Sequence, residues 1–166
     1  MYIHILLIHI FALITIDMKL EDEIKQSKFK SEYHKLSVNI IYTANWLSHR
    51  HSQHCKQYGI TPEQFNILRI LRGQYPAPAT VNLLIDRMLN KMSNASRLVE
   101  KLRTKGLVER KISKDDRRSC DVVITKKGLG LLAKLDKEEK EWNNLISHLS
   151  ESDVKIANNI LDRLRK

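Results

Sequence analysis

Cysteine, glycine and proline are all scarce in this sequence, and each shortage argues against a class of protein. The two cysteines, Cys55 and Cys120, lie far apart and in no metal-ligand spacing, so they favour a reducing cytoplasm over a disulfide framework. Five glycines and three prolines in 166 residues leave little room for disordered linkers or for an all-β fold with many turns. The sequence therefore predicts a mainly α-helical protein located in the cytoplasm.

The sequence also lacks the motifs that mark common enzyme sites. It contains no Gly-rich phosphate loop, no nucleophile elbow and no H-E-x-x-H segment. In the segment HRHSQHC, His51 and Cys55 have i, i+4 spacing on a predicted helix, which can bind zinc. No second pair of ligands has a matching spacing, and histidine near a helix end also interacts favourably with the helix dipole. We therefore predict no enzymatic activity, no cofactor and no metal site.

One long apolar run is present, and it occupies the first 16 residues. It is shorter than the ~20 residues that span a bilayer, and it lacks the basic residues and the small-residue cleavage site of a signal peptide. Met18 begins a charged segment that is typical of a cytosolic amino terminus. We expect residues 1–17 to be an extension produced by a start codon assigned too early; the alternative is a genuine membrane segment.

Positive charge is what the sequence has in excess. The formal net charge is +10, which favours a polyanionic partner, since each cation placed on a phosphate releases counterions. Between Lys91 and Arg118 there are 10 basic and 4 acidic residues, a local balance of +6. Nucleic acid and an anionic membrane both have the matching charge.

Between Ser93 and Gly128 the hydrophobic pattern changes from helical to strand spacing. Ser93 is suited to the N-cap of a short helix, and Gly106 to the left-handed residue that ends it. Two stretches with alternating apolar residues follow, one starting at Val108 and one ending at Ile124, separated by the charged segment KDDRR. The pattern predicts one helix followed by a β-hairpin with a basic tip.

Capped helices precede this segment. Apolar residues at helical spacing predict a long helix over residues 21–58, with a possible break before Phe29. The segment TPEQ at residues 61–64 forms a capping box with proline in the first turn, which predicts a second helix to Gly73. The segment GQYPAPAT is predicted to be a loop, and a third short helix then leads to a turn around Asn90. Two short helices joined in this way form a helix-turn-helix.

Long helices are also predicted after the hairpin. Helical spacing predicts a helix of about six turns over residues 125–149, and Ser150 is a suitable N-cap for a last helix that continues to the carboxyl end. The apolar stripes of the terminal helices need a partner, which the same helices of a second copy can supply. The sequence thus predicts a mainly α fold with a small β-hairpin, assembled as a two-fold homodimer.

This order of elements resembles the MarR family of bacterial winged helix-turn-helix transcription regulators, from about residue 28 to the carboxyl end. The resemblance is strongest in SRLVEKLRTKGLVER, which starts at Ser96, and in DDRR followed by VVITKKG. Asp115 and Arg117 match the D-x-R of the family's wing, and Thr125 and Gly128 match its T-x-x-G.

The resemblance implies how the chain is organised and what it does. It places a single domain over residues 18–166, with the winged helix-turn-helix at 59–125 and dimerisation helices at 18–58 and 126–166. The implied function is that of a sequence-specific transcription regulator: a homodimer that binds a pseudo-palindromic operator in double-stranded DNA and responds to a small-molecule inducer.

The resemblance also implies which residues contact DNA. The helix that begins near Ser93 would enter the major groove, where short or forked donors in its first turns can reach base edges, and the wing would place Arg117 in the minor groove. Asp115 is expected to hold the Arg117 guanidinium in position; an ordinary turn aspartate is the alternative. The candidates for DNA binding are Ser93, Asn94, Ser96, Arg97, Lys101, Lys111, Lys114, Arg117 and Arg118.

A ligand pocket is the last feature that the resemblance implies. Ligands of the resembled family bind in a cleft between the dimerisation helices and the reading head, and aromatic residues could line it. Aromatic residues at helical spacing are more often part of a core, which is the alternative for each of them. The pocket candidates are Tyr42, Trp46, His49, Phe65 and Trp142.

Two other functions compete with DNA binding. The apolar amino terminus and the basic charge could serve a membrane-surface adaptor, and a winged helix could bind protein instead of DNA. Cations spread over both the reading helix and the wing favour DNA, so we expect no membrane partner.

Overall fold

The structure, a computed structural model, describes residues 19–112, 120–137 and 144–166. The chain forms two compact units, with the boundary in sequence between Arg50 and His51. The apolar run at residues 1–17 lies outside the described residues. Within them, no helix combines the length and the apolar character that crossing a membrane requires.

The first unit contains α1 (Leu20–Glu23) and most of α2 (Glu32–Gln57). The helix predicted over residues 21–58 is therefore interrupted, which confirms the break before Phe29. Lys25, two residues after the end of α1, adopts a left-handed φ of 53°, a conformation that a helix cannot continue through. Side chains of α1 and α2 nevertheless bond to each other, since Lys35 Nζ lies 2.5 Å from Glu21 Oε1. The Lys35 ammonium holds the pKa of Glu21 below its usual value.

The second unit begins its helices with side-chain caps. In α3 (Pro62–Gln74) the predicted capping box is confirmed, because Thr61 Oγ1 accepts from Gln64 N at 3.3 Å and Gln64 Oε1 accepts from Thr61 N at 3.2 Å. The helices that follow are α4 (Val81–Arg87), α5 (Ala95–Thr104), α6 (Lys126–Lys137) and α7 (Glu151–Leu164). The caps satisfy amides that the first turn of a helix leaves without partners.

A small antiparallel sheet lies among these helices. It consists of β1 (Ala79–Thr80), β2 (Val108–Ile112) and β3 (Cys120–Ile124), in the order β1-β3-β2. The predicted hairpin is confirmed, with Val108 opposite Ile124. The loop prediction for GQYPAPAT was wrong at both ends, because Gly73 and Gln74 still belong to α3 and Ala79 pairs with Val122. A two-residue strand is too short to show an alternating pattern.

The core of the second unit is built from helices and sheet together. Apolar side chains of α3, α5, α6 and the sheet are fully or nearly fully buried, so α5 is fixed against the rest of the unit. The central ones are Ile67, Leu68, Leu71, Val99, Leu102, Val122, Ile124, Leu132 and Leu135.

The helix predicted to reach Leu149 ends earlier. Residues 145–148 form turns, and Ser147 Oγ donates to the Asn144 carbonyl at 3.3 Å, a bond that competes with helical pairing. Ser150 then caps α7 by accepting from Asp153 N at 3.2 Å, as predicted. The N-cap of α7 thus lies directly after the predicted end of the preceding helix.

Candidate nucleic-acid interface

The helix predicted to read DNA is α5, and one of its faces is fixed in the core. Val99 and Leu102 on this face are completely buried. Ser96, Arg97 and Lys101 are exposed. Because the buried face fixes the rotation of the helix about its axis, the polar side chains must point to solvent.

The amino terminus of α5 is capped by a residue other than the one predicted. We expected Ser93 as the N-cap, and this was wrong: Asn94 Oδ1 accepts from Arg97 N at 2.9 Å. Asparagine and serine cap helices about equally well, so sequence preference alone could not separate the two neighbours. Ser93 is half-buried in the preceding turn, and its amide donates to the Asn90 carbonyl at 3.3 Å.

The turn between α4 and α5 is held by hydrogen bonds. Leu89 N donates to Asn66 Oδ1 of α3 at 2.9 Å, and Met92 N donates to Asn90 Oδ1 at 3.0 Å. Lys91 Nζ donates to the carbonyls of Ile85 and Asp86 at the end of α4. The turn is thus bonded to α3 and to the end of α4, and the bond between Met92 and Asn90 closes the turn itself.

The carboxyl end of α5 is joined to the start of α6 by the residues of the T-x-x-G motif. Gly106 has a φ of +69°, which ends α5 as predicted. Thr125 Oγ1 donates to the Gly106 carbonyl at 2.9 Å and accepts from Gly128 N at 3.1 Å. A Cβ at Gly128 would lie 2.7 Å from Ile124 Cγ1 and closer still to the Leu107 carbonyl. Only glycine therefore lets α6 approach this junction.

The basic residues of α5 differ in whether they form ion pairs. Arg103 Nη2 lies 2.7 Å from Glu100 Oε1, and this hydrogen bond lowers the pKa of the Glu100 carboxyl below its usual value. Arg97 and Lys101 have no acidic side chain within ion-pair distance among the described residues. Both side chains are exposed, so an anionic partner can reach their charges.

The wing is described only in part. Lys111 on β2 is exposed, and its ammonium lies 3.4 Å from Glu109 Oε2 in a surface pair of little energetic weight. The candidates of the hairpin tip, Lys114, Asp115, Arg117 and Arg118, lie outside the described residues.

The predicted pocket residues are spread over both units. Tyr42 and Trp46 belong to the first unit, where Tyr42 OH donates to Glu23 Oε2 at 2.7 Å and the Arg50 guanidinium lies 5.4 Å from the centre of the Trp46 ring. His49, also in the first unit, is exposed. Phe65 belongs to the second unit, and Trp142 lies outside the described residues.

The two possible zinc ligands face the core of the second unit. The His51 ring packs edge-on against Phe65, with 5.4 Å between ring centres, and burial lowers the pKa of His51. Cys55 is completely buried, and burial raises the pKa of its thiol to about 11. A thiol in this environment is a poor ligand and a poor nucleophile.

Sequence reasoning missed an open cavity of about 490 Å³ in the second unit. Tyr58, Leu107 and Leu131 supply apolar surface, and Lys105, Lys127 and Lys134 supply positive charge. Lys127 Nζ donates to the Lys105 carbonyl at 2.8 Å, so the cavity borders the junction of α5 and α6. These residues are distant in sequence and share no pattern that could have revealed them.

Comparisons with protein-family models and with known proteins both give matches. A model of the MarR family matches residues 58–119. The HTH-type transcriptional regulator MhqR of Bacillus subtilis (strain 168) is 32% identical over 114 residues, which cover 68% of this chain and 77% of that protein.

Solved structures share the fold. The S. aureus MepR–DNA complex superposes with a TM-score of 0.69 at 22% identity, over 82% of this chain and 97% of MepR. The organohalide-sensing regulator RdhR, in its 2,4-dichlorophenol-bound form, superposes with a TM-score of 0.73 at 17% identity, over 92% of this chain and 87% of RdhR.

Proposed function

Since this chain belongs to the MarR family of DNA-binding transcription regulators, we propose that it acts as a homodimer on a pseudo-palindromic operator and responds to a small molecule. The observation that carries the proposal is the arrangement of α5. Its apolar face is locked in the core, while Ser96, Arg97 and Lys101 project to solvent. A helix held in this way can present its first turns to the major groove. The protein would act in the cytoplasm, where its DNA is.

We assign different roles to the exposed residues of α5. Arg97 has a forked guanidinium that suits the two acceptors of guanine, so it is our main base-reading residue. Asn94 caps the helix through Oδ1, which leaves its amide hydrogens for a base or a phosphate. Ser96 can donate to either, whereas half-buried Ser93 acts through the turn.

The remaining cations would bind the DNA backbone. Lys101 and Lys111 are exposed and suited to phosphate contacts, which add affinity without sequence preference. By its sequence motif, the hairpin tip with Lys114, Arg117 and Arg118 would reach the minor groove, with Asp115 as a support for Arg117.

An exposed apolar stripe supports the homodimer. On α7, Ile156, Ile160 and Leu164 follow each other at intervals of four residues and are 59%, 46% and 54% exposed. A stripe of this kind is stabilised by burial, and the same stripe on a second copy gives a self-complementary interface. Two-fold symmetry then requires two half-sites about one helical turn, ~10 base pairs, apart.

Ligand response is supported by one of the structural neighbours. RdhR was solved in a 2,4-dichlorophenol-bound form, so one protein of similar fold holds a small aromatic molecule. In this chain we propose Tyr42, Trp46, His49, Phe65 and Trp142 as residues that could contact such a ligand. It would act by favouring a separation of the reading heads that does not fit the operator.

Selection from random duplex DNA tests whether the protein recognises a specific operator. The purified protein should retain a family of related sequences, and footprinting should show two protected half-sites related by a dyad. Retention without a consensus would contradict sequence-specific regulation.

The homodimer is tested with a matched pair of substitutions on α7. Ile160→Glu should produce monomers in sedimentation velocity, because a charge would be buried in the interface. Asn158→Glu adds the same charge to a residue outside the stripe and should leave the dimer intact. If sedimentation velocity gives the two variants the same oligomeric state, α7 is excluded as the interface.

A further inference from the structure

We propose that Met92, together with Leu89, reads thymine by contact with its 5-methyl group, so that the turn before α5 contributes to sequence specificity. This inference rests on the proposed function, and it adds an apolar contact to the polar ones expected from Arg97. It comes from two side chains that the structure leaves almost completely in solvent: Leu89 is 87% exposed and Met92 is 93% exposed.

The exposure of these side chains does not come from a loose turn. The backbone amide of Leu89 donates to Asn66 Oδ1, and that of Met92 donates to Asn90 Oδ1. Met88, directly before Leu89, is buried, and Lys91 is bonded to the end of α4. The turn is thus fixed at several points, and the fixed backbone directs both apolar side chains outward.

The surroundings of the two side chains specify the partner. Arg87 and Lys91 flank Leu89, and Arg97 follows Met92 by little more than one helical turn; all three cations are exposed. Apolar side chains within a basic surface are poorly suited to a protein core or a hydrocarbon phase, whereas duplex DNA combines phosphates with an apolar group in the major groove. That apolar group is the thymine methyl.

The position of Met92 favours the major groove. Met92 lies two residues before Asn94, the N-cap of α5, and therefore at the end of the helix that is proposed to approach base edges. Its unbranched thioether side chain can adapt to the position of a methyl group without moving the backbone. Glutamine has a similar length but would put a polar amide against that methyl.

The test uses the full-length protein and an operator obtained by selection, in which each thymine of one half-site is replaced in turn by deoxyuridine. This change removes the 5-methyl group and keeps every hydrogen-bonding group of the base. We expect at least one replacement to weaken wild-type binding about fourfold, which corresponds to ~0.8 kcal/mol for one methyl-sized group removed from water. Leu89→Ala and Met92→Ala should then abolish the effect at the positions that each residue contacts.

Control variants distinguish the loss of thymine-methyl contacts from a general loss of DNA binding. Met92→Gln should behave like Met92→Ala, and Tyr75→Ala, which removes an exposed aromatic side chain outside the turn, should retain the full deoxyuridine effect. If wild type binds its operator selectively but tolerates deoxyuridine at every position, apolar reading is excluded while the proposed regulator stands. An unchanged deoxyuridine effect in both Leu89→Ala and Met92→Ala would exclude it as well. Failure to bind any sequence selectively would overturn both proposals.

Discussion

Substitution of Gly128 by alanine should destabilise the protein, although alanine is the better helix former. Gly128 lies in the first turn of α6, and an added Cβ would meet the Leu107 carbonyl and Ile124 Cγ1, the latter at 2.7 Å. Real Cβ atoms do not approach this closely, so α6 must shift away from Leu107 and Ile124, or those residues must move. The Leu107 carbonyl also accepts from Thr125 N at 3.1 Å, and the shift would strain that bond.

The magnitude follows from three contributions. Overpacking of a well-packed site costs about 1–3 kcal/mol. A strained backbone hydrogen bond adds up to ~1 kcal/mol, and the higher helix propensity of alanine returns up to ~1 kcal/mol. The expected net loss in the free energy of unfolding is therefore about 1–3 kcal/mol.

Gly130→Ala is the matched control in the same helix. Within the part of the chain that the structure describes, an added Cβ there meets no heavy atom within 4 Å beyond its own helix backbone, so only the propensity gain of ~0.5–1 kcal/mol remains. Urea unfolding, followed by circular dichroism, should place the two variants on opposite sides of wild type. If Gly128→Ala is as stable as Gly130→Ala, α6 does not approach the α5–β2 junction as closely as described above.

Three further predictions concern the cap, the thiols and the histidine. Asn94→Ala should lower the free energy of unfolding by ~1 kcal/mol while Asn94→Ser restores most of it; equal losses would mean that the side chain does not cap α5. In the native protein a thiol reagent at pH 8 should modify partly exposed Cys120 well before Cys55, whose pKa of about 11 leaves almost no thiolate; mass spectrometry identifies the modified residue, and equal rates would contradict the burial of Cys55. Burial lowers the pKa of His51 in the folded state, so the unfolded protein binds a proton more readily than the folded one. Neutral His51 therefore contributes to the free energy of unfolding above its unfolded pKa of ~6.5, and this contribution is lost as the pH falls below that value. His51→Gln should therefore flatten the decline in stability between pH 7 and pH 5, and an unchanged slope would show that another group causes it.

Local signals in the sequence were enough to predict most elements of the fold. The capping box at Thr61 and the N-cap at Ser150 depend on bonds between residues three apart, and both are present. The hairpin followed from the alternating pattern that ends at Ile124, which puts Val122 and Ile124 of β3 in the core. These features are decided within a few residues, so the sequence displays them directly.

Features that depend on the rest of the fold could not be predicted in this way. Strand β1 exists because Ala79 pairs with Val122, a partner far along the chain. Asn94 rather than Ser93 is the N-cap, and the turn before it is bonded to α3 through Leu89 and Asn66, residues 23 apart in sequence. Met92 is exposed in that turn, although an apolar residue near a helix start looks like a core residue in the sequence.

The central claim is that α5 reads base sequence, and the most direct measurement compares Arg97→Ala with Lys101→Ala on selected and scrambled duplexes. Fluorescence anisotropy at several salt concentrations gives the affinity of each variant for each DNA. Loss of Arg97 should cost about 1–3 kcal/mol on the selected operator and much less on scrambled DNA, with relaxed preference at one base pair. Loss of Lys101 should weaken binding to both DNAs equally and reduce the salt slope by ~0.9. Equal losses on both duplexes for Arg97→Ala would contradict base reading by α5.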